Sequence, residues 1–316
     1  METLIKIGIS SCLLGNNVRY DGGHKLDRFL RDTFGKFAEY IPVCPESECG
    51  LGIPREAMRL EGDPQNPRLI TIKNRKDITG KMKLWSMKRA NELEKEELRG
   101  FIFKCRSPSC GMERVKVYNE KETPIQKGTG LFAKEFITHF PLIPVEEEGR
   151  LHDPLLRENF IERIFTLKRW RDLTKGKLSI GKLVEFHTRN KLLLLAHSEK
   201  HYRLIGKMVA QTEKISVNES FREYEKNMIE ALKLKATPSK NKNVLQHMMG
   251  YFKKVLSPDE KQELLGVIDE YATGNVPLIV PITLINHYVR KYDQVYLKHQ
   301  TYLNPNLLEL KLRNHV

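Results

Sequence analysis

Three cysteines each stand at or just after the end of an apolar segment that predicts a β-strand. They are Cys12, Cys44 and Cys110. Because the carboxyl ends of parallel strands share one edge of a sheet, residues far apart in sequence would meet there. Three thiols at one edge predict a metal site. Zinc takes four ligands in structural sites, or three plus water in catalytic ones. An iron–sulfur cluster held by three cysteines instead leaves one iron open, as a Lewis acid for soft ligands such as sulfur.

The remaining residues leave the kind of site open. His24 is a candidate additional zinc ligand, and Cys49 or Cys105 could be a fourth ligand, although we expect both cysteines only to pack. The three strand-end cysteines could also be purely structural, because a free cysteine packs as a small apolar side chain. A disulfide framework is not expected, since the chain has five cysteines, an odd number, and the cytosol keeps thiols reduced.

Polar side chains accompany two of the strand-end cysteines. Glu46 follows one of them by two positions, and Ser107 and Ser109 shortly precede another. A carboxylate beside a metal-bound electrophile is a candidate general base. A hydroxyl group there can donate to a developing negative charge. Glu46 could instead cap a helix or pair with Arg19 or Arg55.

The elements that must position these residues alternate between strand and helix in the first half of the chain. Apolar segments predict strands at 4–10, 41–44, 69–74, 101–105 and 115–119. Helical spacing of apolar residues predicts helices at 26–40 and 79–100. This alternation is typical of a parallel α/β sheet. The segment GTGLFA at 128–133 matches a dinucleotide-binding pattern only weakly, and we interpret it as a tight turn.

From about residue 155 the sequence becomes mostly helical. Apolar spacing predicts helices at 156–173 and 182–210, and Ser257, Pro258 and Glu260 form a capping pattern before another helix. The predicted fold class is therefore an α/β N-terminal domain with a Rossmann-like parallel sheet, followed by an all-α C-terminal domain. We predict that the chain has three parts: a domain at 1–150, a connecting helix at 151–175 and a helical domain at 176–316.

The charge of the chain indicates a polyanionic partner. The 316 residues carry a formal net charge of +14, of which residues 1–150 contribute +4 and residues 151–316 contribute +10. Nucleic acid is the first candidate partner and an anionic membrane surface the second. Apolar stretches are too short to span a membrane, and the start lacks a signal peptide, so a cytoplasmic protein is expected. His197 and His201 have metal-ligand spacing, but packing or RNA contact is favoured.

Longer motifs resemble two known families. The segments SSCLLGNNVRYDGGHK, VCPESECGLGIPRE, RSPSCG and GLFAKEF resemble the thiouracil desulfidase (TudS-like) family. LHDPLLRENFIERIFTLKRW resembles the segment that joins such a domain to a second one. HTRNKLLLLAHSEKHYRLIGKMVA and NVLQHMMGYFKK resemble the YbgA-type helical domain. The two-domain combination is similar to desulfidases that act on 4-thiouridine in tRNA.

The resemblance implies an activity and a set of site residues. It implies a [4Fe-4S] cluster held by Cys12, Cys44 and Cys110, with Glu46 and Ser107 as catalytic residues. It also implies the non-redox conversion of a thiolated uracil base to uracil with sulfide release, and an RNA-binding role for the helical domain. Two alternatives stay open at this point. One is desulfuration of free thiouracil or thiouridine, and the other is a non-catalytic RNA-binding protein with a structural zinc or iron–sulfur site.

Overall fold

The computed structural model describes residues 4–212, 215–305 and 312–314 and divides the chain into two compact units, Met1–Asp153 and Pro154–Val316. The first unit contains a parallel sheet with helices, and the second is mostly helical. This architecture confirms the predicted fold class, an α/β N-terminal part followed by an α-helical C-terminal part. Within the described residues, no helix combines the length and apolar character needed to cross a membrane.

The N-terminal unit is built on two sheets. Its strands are β1 (Ile5–Ser10), β2 (Ala38–Val43), β3 (Met58–Glu61), β4 (Arg68–Thr71), β5 (Gly100–Phe103), β6 (Val115–Tyr118), β7 (Pro124–Gly128) and β8 (Val145–Glu147). Its α-helices are α1 (Pro45–Glu48), α2 (Thr79–Glu94) and α3 (Leu131–His139). The first sheet has the order β2-β1-β5-β8, with every pair parallel. The second has the order β4-β3-β6-β7 and is mixed.

Two expectations for this unit need correction. The predicted helix at 26–40 is wrong: Phe29–Thr33 forms one π-helical turn, a 3-10 turn follows, and β2 already begins at Ala38. Strand pairing overrides the helical pattern because Ala38–Val43 pairs with β1 along its whole length. The strands predicted at 69–74 and 115–119 exist as β4 and β6, but they lie in the second sheet and not in the parallel one.

A cluster of phenylalanine rings fills the space between the first sheet and its helices. Phe101 and Phe103 on β5 stack at 4.3 Å between ring centroids, and Phe132 and Phe136 on α3 pack across them. All four side chains are fully buried, and burying each contributes roughly 1.5–3 kcal/mol to folding. This packing explains why β5 is apolar throughout, as expected of a parallel strand covered on both faces. It also provides a firm support for the loops that follow the strands.

The C-terminal unit is a set of packed helices. They are α4 (Pro154–Thr174), α5 (Ile180–His197), α6 (Glu199–Ala210), α7 (Val217–Lys233), α8 (Pro238–Gly250), α9 (Pro258–Ala272), α10 (Ile279–Lys291) and α11 (Val295–Lys298). The single helix predicted at 182–210 is interrupted at Ser198, whose side chain accepts from the backbone of His201 and caps α6. The predicted capping box is confirmed, because Ser257 and Glu260 each accept from the other's backbone N–H.

The two histidines with metal-ligand spacing have separate hydrogen-bond partners. His197 is completely buried, donates through Nδ1 to the carbonyl oxygen of Leu234 at 2.6 Å, and places Nε2 3.1 Å from Glu162. His201 instead places Nδ1 2.8 Å from the Ser198 hydroxyl group. Each of the two rings therefore has at least one hydrogen-bond partner of its own within the helical unit.

Candidate active site

The parallel sheet brings the three strand-end cysteines to one edge. β2, β1 and β5 are neighbours in the first sheet. Cys12 lies in the turn directly after β1, Cys44 follows β2 and is the N-cap residue of α1, and Cys110 lies in the loop after β5. All three line one cavity of about 370 Å³. The structure thus gathers residues that are separated by 32 and 66 positions in the sequence.

Burial makes two of these thiols, those of Cys12 and Cys110, unfavourable as isolated thiolates. Burial raises the pKa of the Cys12 thiol to about 11, and the charge of Cys44 adds to the effect. Burial raises the pKa of Cys110 still further, with Glu46 and the other two thiols contributing. A metal compensates such a cost, because a coordinated thiol loses its proton outright.

The donor set fits an iron–sulfur cluster, because such clusters are held by cysteine thiolates and three cysteines line this cavity. In the described part of the chain, no group of three or more His, Cys, Asp or Glu side chains could hold one metal ion. His24 is exposed, accepts from the backbone of Leu26, and is not part of the cavity wall. A structural zinc site takes four protein ligands, whereas an iron–sulfur cluster held by three cysteines would leave one iron free of protein ligands.

The loop that carries Cys110 is fixed by its own hydrogen bonds and by α3. The Ser107 hydroxyl oxygen accepts from the backbone N–H of Cys110 at 3.1 Å, and the Ser109 carbonyl oxygen accepts from Phe132 at 3.0 Å. The segment predicted as a tight turn provides the close approach. A Cβ atom on Gly130 would lie 2.5 Å from the Ser109 carbonyl carbon. This glycine therefore packs the start of α3 directly against the Cys110 loop.

Substitution of Gly130 by alanine is expected to destabilise the protein and disturb the Cys110 loop. The added methyl group meets backbone atoms that cannot rotate away, which costs about 1–3 kcal/mol by analogy with overpacked cores. Thermal unfolding would measure the loss. Gly80→Ala is the matched control, since nothing lies within 4 Å of a Cβ atom there. Equal stability of the two variants would contradict this account of the loop.

Glu46 is held between an arginine and a serine. Its Oε2 accepts from Arg55 at 2.5 and 2.9 Å, and its Oε1 accepts from the Ser109 hydroxyl group at 2.7 Å. The Ser109 oxygen lies 3.0 Å from the Ser107 oxygen and 3.7 Å from the Cys110 sulfur. A chain of hydrogen bonds therefore runs from the carboxylate through Ser109 to Ser107, and all of these residues belong to the cavity wall. Such a hydrogen-bond chain can orient a water molecule and carry its proton.

The structure adds two residues to the predicted site. The predicted Ser107 lines the cavity, but Ser109 is the serine that contacts Glu46. The sequence suggests Arg55 only as an ion-pair partner, whereas it fixes one carboxylate oxygen and leaves the other to Ser109. The sequence signal for Ser109 is the Ser-Pro-Ser order in RSPSCG, because a turn at Pro108 brings the two serine hydroxyl groups together.

The remaining cysteines have different surroundings. Cys49 is buried in an apolar cluster, is not part of the cavity wall, and donates to the backbone oxygen of Glu46 at 3.4 Å. Cys105 does line the cavity, and its sulfur lies 3.2 Å from Lys104 Nζ and 3.1 Å from Glu148 Oε1. Packing therefore describes Cys49 well, whereas Cys105 belongs to a polar cluster with a lysine and a glutamate.

Fold and site define an α/β domain with a cysteine-lined cavity at the carboxyl edge of its parallel sheet, and comparisons with known proteins agree. The family model described as 2-thiouracil desulfurase matches residues 7–148, and a family of unknown function, DUF1722, matches residues 191–306. The uncharacterized protein YbgA of Escherichia coli (strain K12) is 34% identical over 152 residues, which cover 47% of this chain and 90% of YbgA.

A solved structure is also similar. It is that of the [4Fe-4S]-dependent thiouracil desulfidase TudS, 28% identical, with a TM-score of 0.39, covering 47% of this chain and 94% of the solved chain. The chain belongs to the family of YbgA, and the 2-thiouracil desulfurase model matches its first part and the DUF1722 model its second. The resemblance drawn from the sequence motifs is thereby confirmed, and desulfuration is the activity class that it supports.

Proposed function

We propose that this protein is a non-redox desulfidase that converts 4-thiouridine in tRNA to uridine and releases sulfide. Cys12, Cys44 and Cys110 would hold a [4Fe-4S] cluster, the cofactor on which the similar thiouracil desulfidase TudS depends. The observation that carries the proposal is that Glu46, the Ser109–Ser107 pair and these three thiols line one cavity. When bound, a cluster with one iron free of protein ligands supplies a Lewis acid for the thiocarbonyl sulfur.

The residues of the chain supply the acid–base chemistry. Glu46, oriented by Arg55, takes a proton from water through Oε1 or through the Ser109 hydroxyl group. The water oxygen bonds to the ring carbon, the carbon–sulfur bond breaks, and the sulfur leaves as hydrogen sulfide. The reaction consumes one water and transfers no electron. Ser107 positions the base or passes the proton onward from Ser109.

The helical unit supports tRNA over a free base as the substrate. Residues 151–316 carry +10 of the net charge, which suits phosphate contacts whose affinity falls with salt. Tyr251 and Tyr296 stack at 4.8 Å between ring centroids, Lys191 lies over the Tyr296 ring at 5.0 Å, and Tyr251 is 42% exposed. Exposed rings beside cations are typical platforms for unpaired bases. The thiolated base would have to leave its stack to reach the cavity.

Anaerobically reconstituted full-length protein is expected to remove the near-ultraviolet absorbance of 4-thiouridine from total tRNA, with matching sulfide release. The same assay on free 4-thiouridine separates the substrates, because helical-unit contacts are made only by tRNA. Equal kcat/KM values for tRNA and nucleoside would contradict the tRNA assignment. No sulfide from either substrate, with intact RNA binding, would favour the non-catalytic binder instead.

A further inference from the structure

A second, larger cavity opens directly beside the cysteine-lined one. Its volume is about 800 Å³, within the range of ligand-binding clefts. The two cavities share wall residues, namely Met58, Cys105, Arg106 and Pro108. Both lie entirely within the N-terminal unit. A molecule whose base occupies the smaller cavity can therefore extend into the larger one without leaving the surface of this unit.

The wall of the larger cavity is basic. Its positively charged residues are Arg59, Arg106, Arg114, Lys116 and Arg150, and its acidic residues are Glu113 and Glu147. We call this cavity the arginine groove. The acidic groups have partners of their own, since Glu113 accepts from Arg150 at 2.7 Å and Glu147 accepts from the backbone N–H of Met112 at 2.7 Å. A backbone N–H does not neutralise a carboxylate, but the five basic wall residues outnumber the two acidic ones, so the wall keeps a formal net charge of +3.

Three basic side chains are left directed to solvent along the groove. Within the described residues, Arg106 and Lys116 form no ion pair, and both are exposed. Arg114 lies 3.8 Å from Glu113, but its side chain is 77% exposed, so this pair is strongly screened by water. Two unpaired cations and one weakly paired cation in a concave surface are suited to a ligand that carries several negative charges in a row.

The groove also offers an aromatic surface. The Arg59 guanidinium carbon lies 4.7 Å from the centroid of the Tyr118 ring, and both residues line the groove. Glu61 and Glu122 hold Arg59 in place, each at 2.7 Å. A fixed guanidinium plane beside a half-buried ring provides a stacking surface for a base or ribose. Phosphate-binding cations and a stacking surface together favour a nucleic acid strand over an isolated anion.

We propose that the arginine groove binds the phosphodiester backbone of the nucleotides next to the thiolated one. The inference rests on the proposed function and extends it: the desulfidase domain itself would recognise the RNA strand, independently of the helical unit. A free nucleoside lacks the flanking phosphates and gains nothing from the groove. The groove thus predicts a preference for even a short thiolated RNA, too short to follow the shape of a whole tRNA.

The test neutralises two groove residues that are not part of the cysteine-lined cavity. In full-length protein, Arg114→Gln combined with Lys116→Gln should lower kcat/KM for a short single-stranded RNA with a central 4-thiouridine by about tenfold, mainly through KM. The slope of log(kcat/KM) against the logarithm of the salt concentration should become less negative by about 1.4, since each lost phosphate contact on a single strand contributes about 0.7. Turnover of free 4-thiouridine should not change.

The control removes two charges elsewhere in the same unit. Lys88→Gln combined with Lys95→Gln changes exposed residues on and just after α2 that line neither cavity. This variant should match the original protein on both substrates. Equal losses on RNA and nucleoside in the groove variant would overturn the proposal, because the groove would then only support the base-binding cavity. Unchanged kcat/KM for RNA in the groove variant would overturn it as well.

A binding measurement separates this inference from the proposed desulfuration. Fluorescence anisotropy of an unmodified RNA of the same length requires neither a cluster nor turnover. The groove variant should show a Kd about tenfold higher, with the same loss of salt dependence, whereas the control variant should not. An unchanged Kd would overturn the proposal that the groove binds RNA. Weakened RNA binding together with no sulfide release by the original protein would support the groove and reject the desulfidase.

Discussion

Replacement of Cys110 by serine is expected to abolish both the iron–sulfur absorbance of the anaerobically reconstituted protein and its sulfide release. Cys110 is buried, lines the same cavity as Cys12 and Cys44, and has its pKa raised by burial. A serine hydroxyl group is harder than thiolate and a poorer ligand for iron. The loss of activity should exceed the roughly 10–100-fold that follows changes outside the ligand sphere. Absorbance, iron content and sulfide release measure the effect.

Cys49→Ser provides the matched control for this substitution. Cys49 is as buried as Cys110 but packs in an apolar cluster away from the cavity. Its replacement should cost some thermal stability and leave cluster content and turnover intact. If Cys110→Ser retained the absorbance while Cys49→Ser lost it, the ligand set would be wrong. Circular dichroism of both variants would show whether either substitution unfolds the domain.

The gathering of the cysteines was predictable because it follows from topology alone. Apolar segments before Cys12, Cys44 and Cys110 indicated strands, and parallel strands place their carboxyl ends at one edge. The register of the strands was not needed, since the strands only have to be parallel and adjacent in one sheet. The observed order β2-β1-β5 places the three strands side by side.

Contacts that depend on the conformation of a turn could not be predicted from the sequence. The bond between Ser109 and Glu46 spans 63 positions and depends on how the loop folds around Pro108 and against α3. The helix expected at 26–40 failed for a related reason, because pairing with β1 outweighs local helical spacing. The second sheet was missed as a separate layer, and with it the arginine groove, whose wall includes residues of β3 and β6.

Replacement of Glu46 by glutamine is expected to preserve the iron–sulfur absorbance and lower kcat by about 10²–10⁴-fold, the range typical of a lost general base. Glutamine has nearly the same shape, and its one carbonyl oxygen can still accept from either Ser109 or Arg55, although not from both. It cannot take a proton from water. Because Glu46 is not among the proposed ligands, cluster content should match that of the original protein. Single-turnover sulfide release under anaerobic conditions measures the chemical step.

Glu48→Gln separates the chemical role of Glu46 from a general effect of charge on α1. Glu48 lies two residues further along the same short helix and accepts from the backbone N–H of Cys44 at 2.6 Å, a bond that a glutamine oxygen can replace. Its side chain lies 3.4 Å from Arg89 and is not part of the cavity wall. Removal of this negative charge should therefore leave kcat nearly unchanged. If both variants lost turnover equally, or if Glu46→Gln turned over normally, Glu46 would not be the base, and water activation would have to be sought elsewhere on the cavity wall.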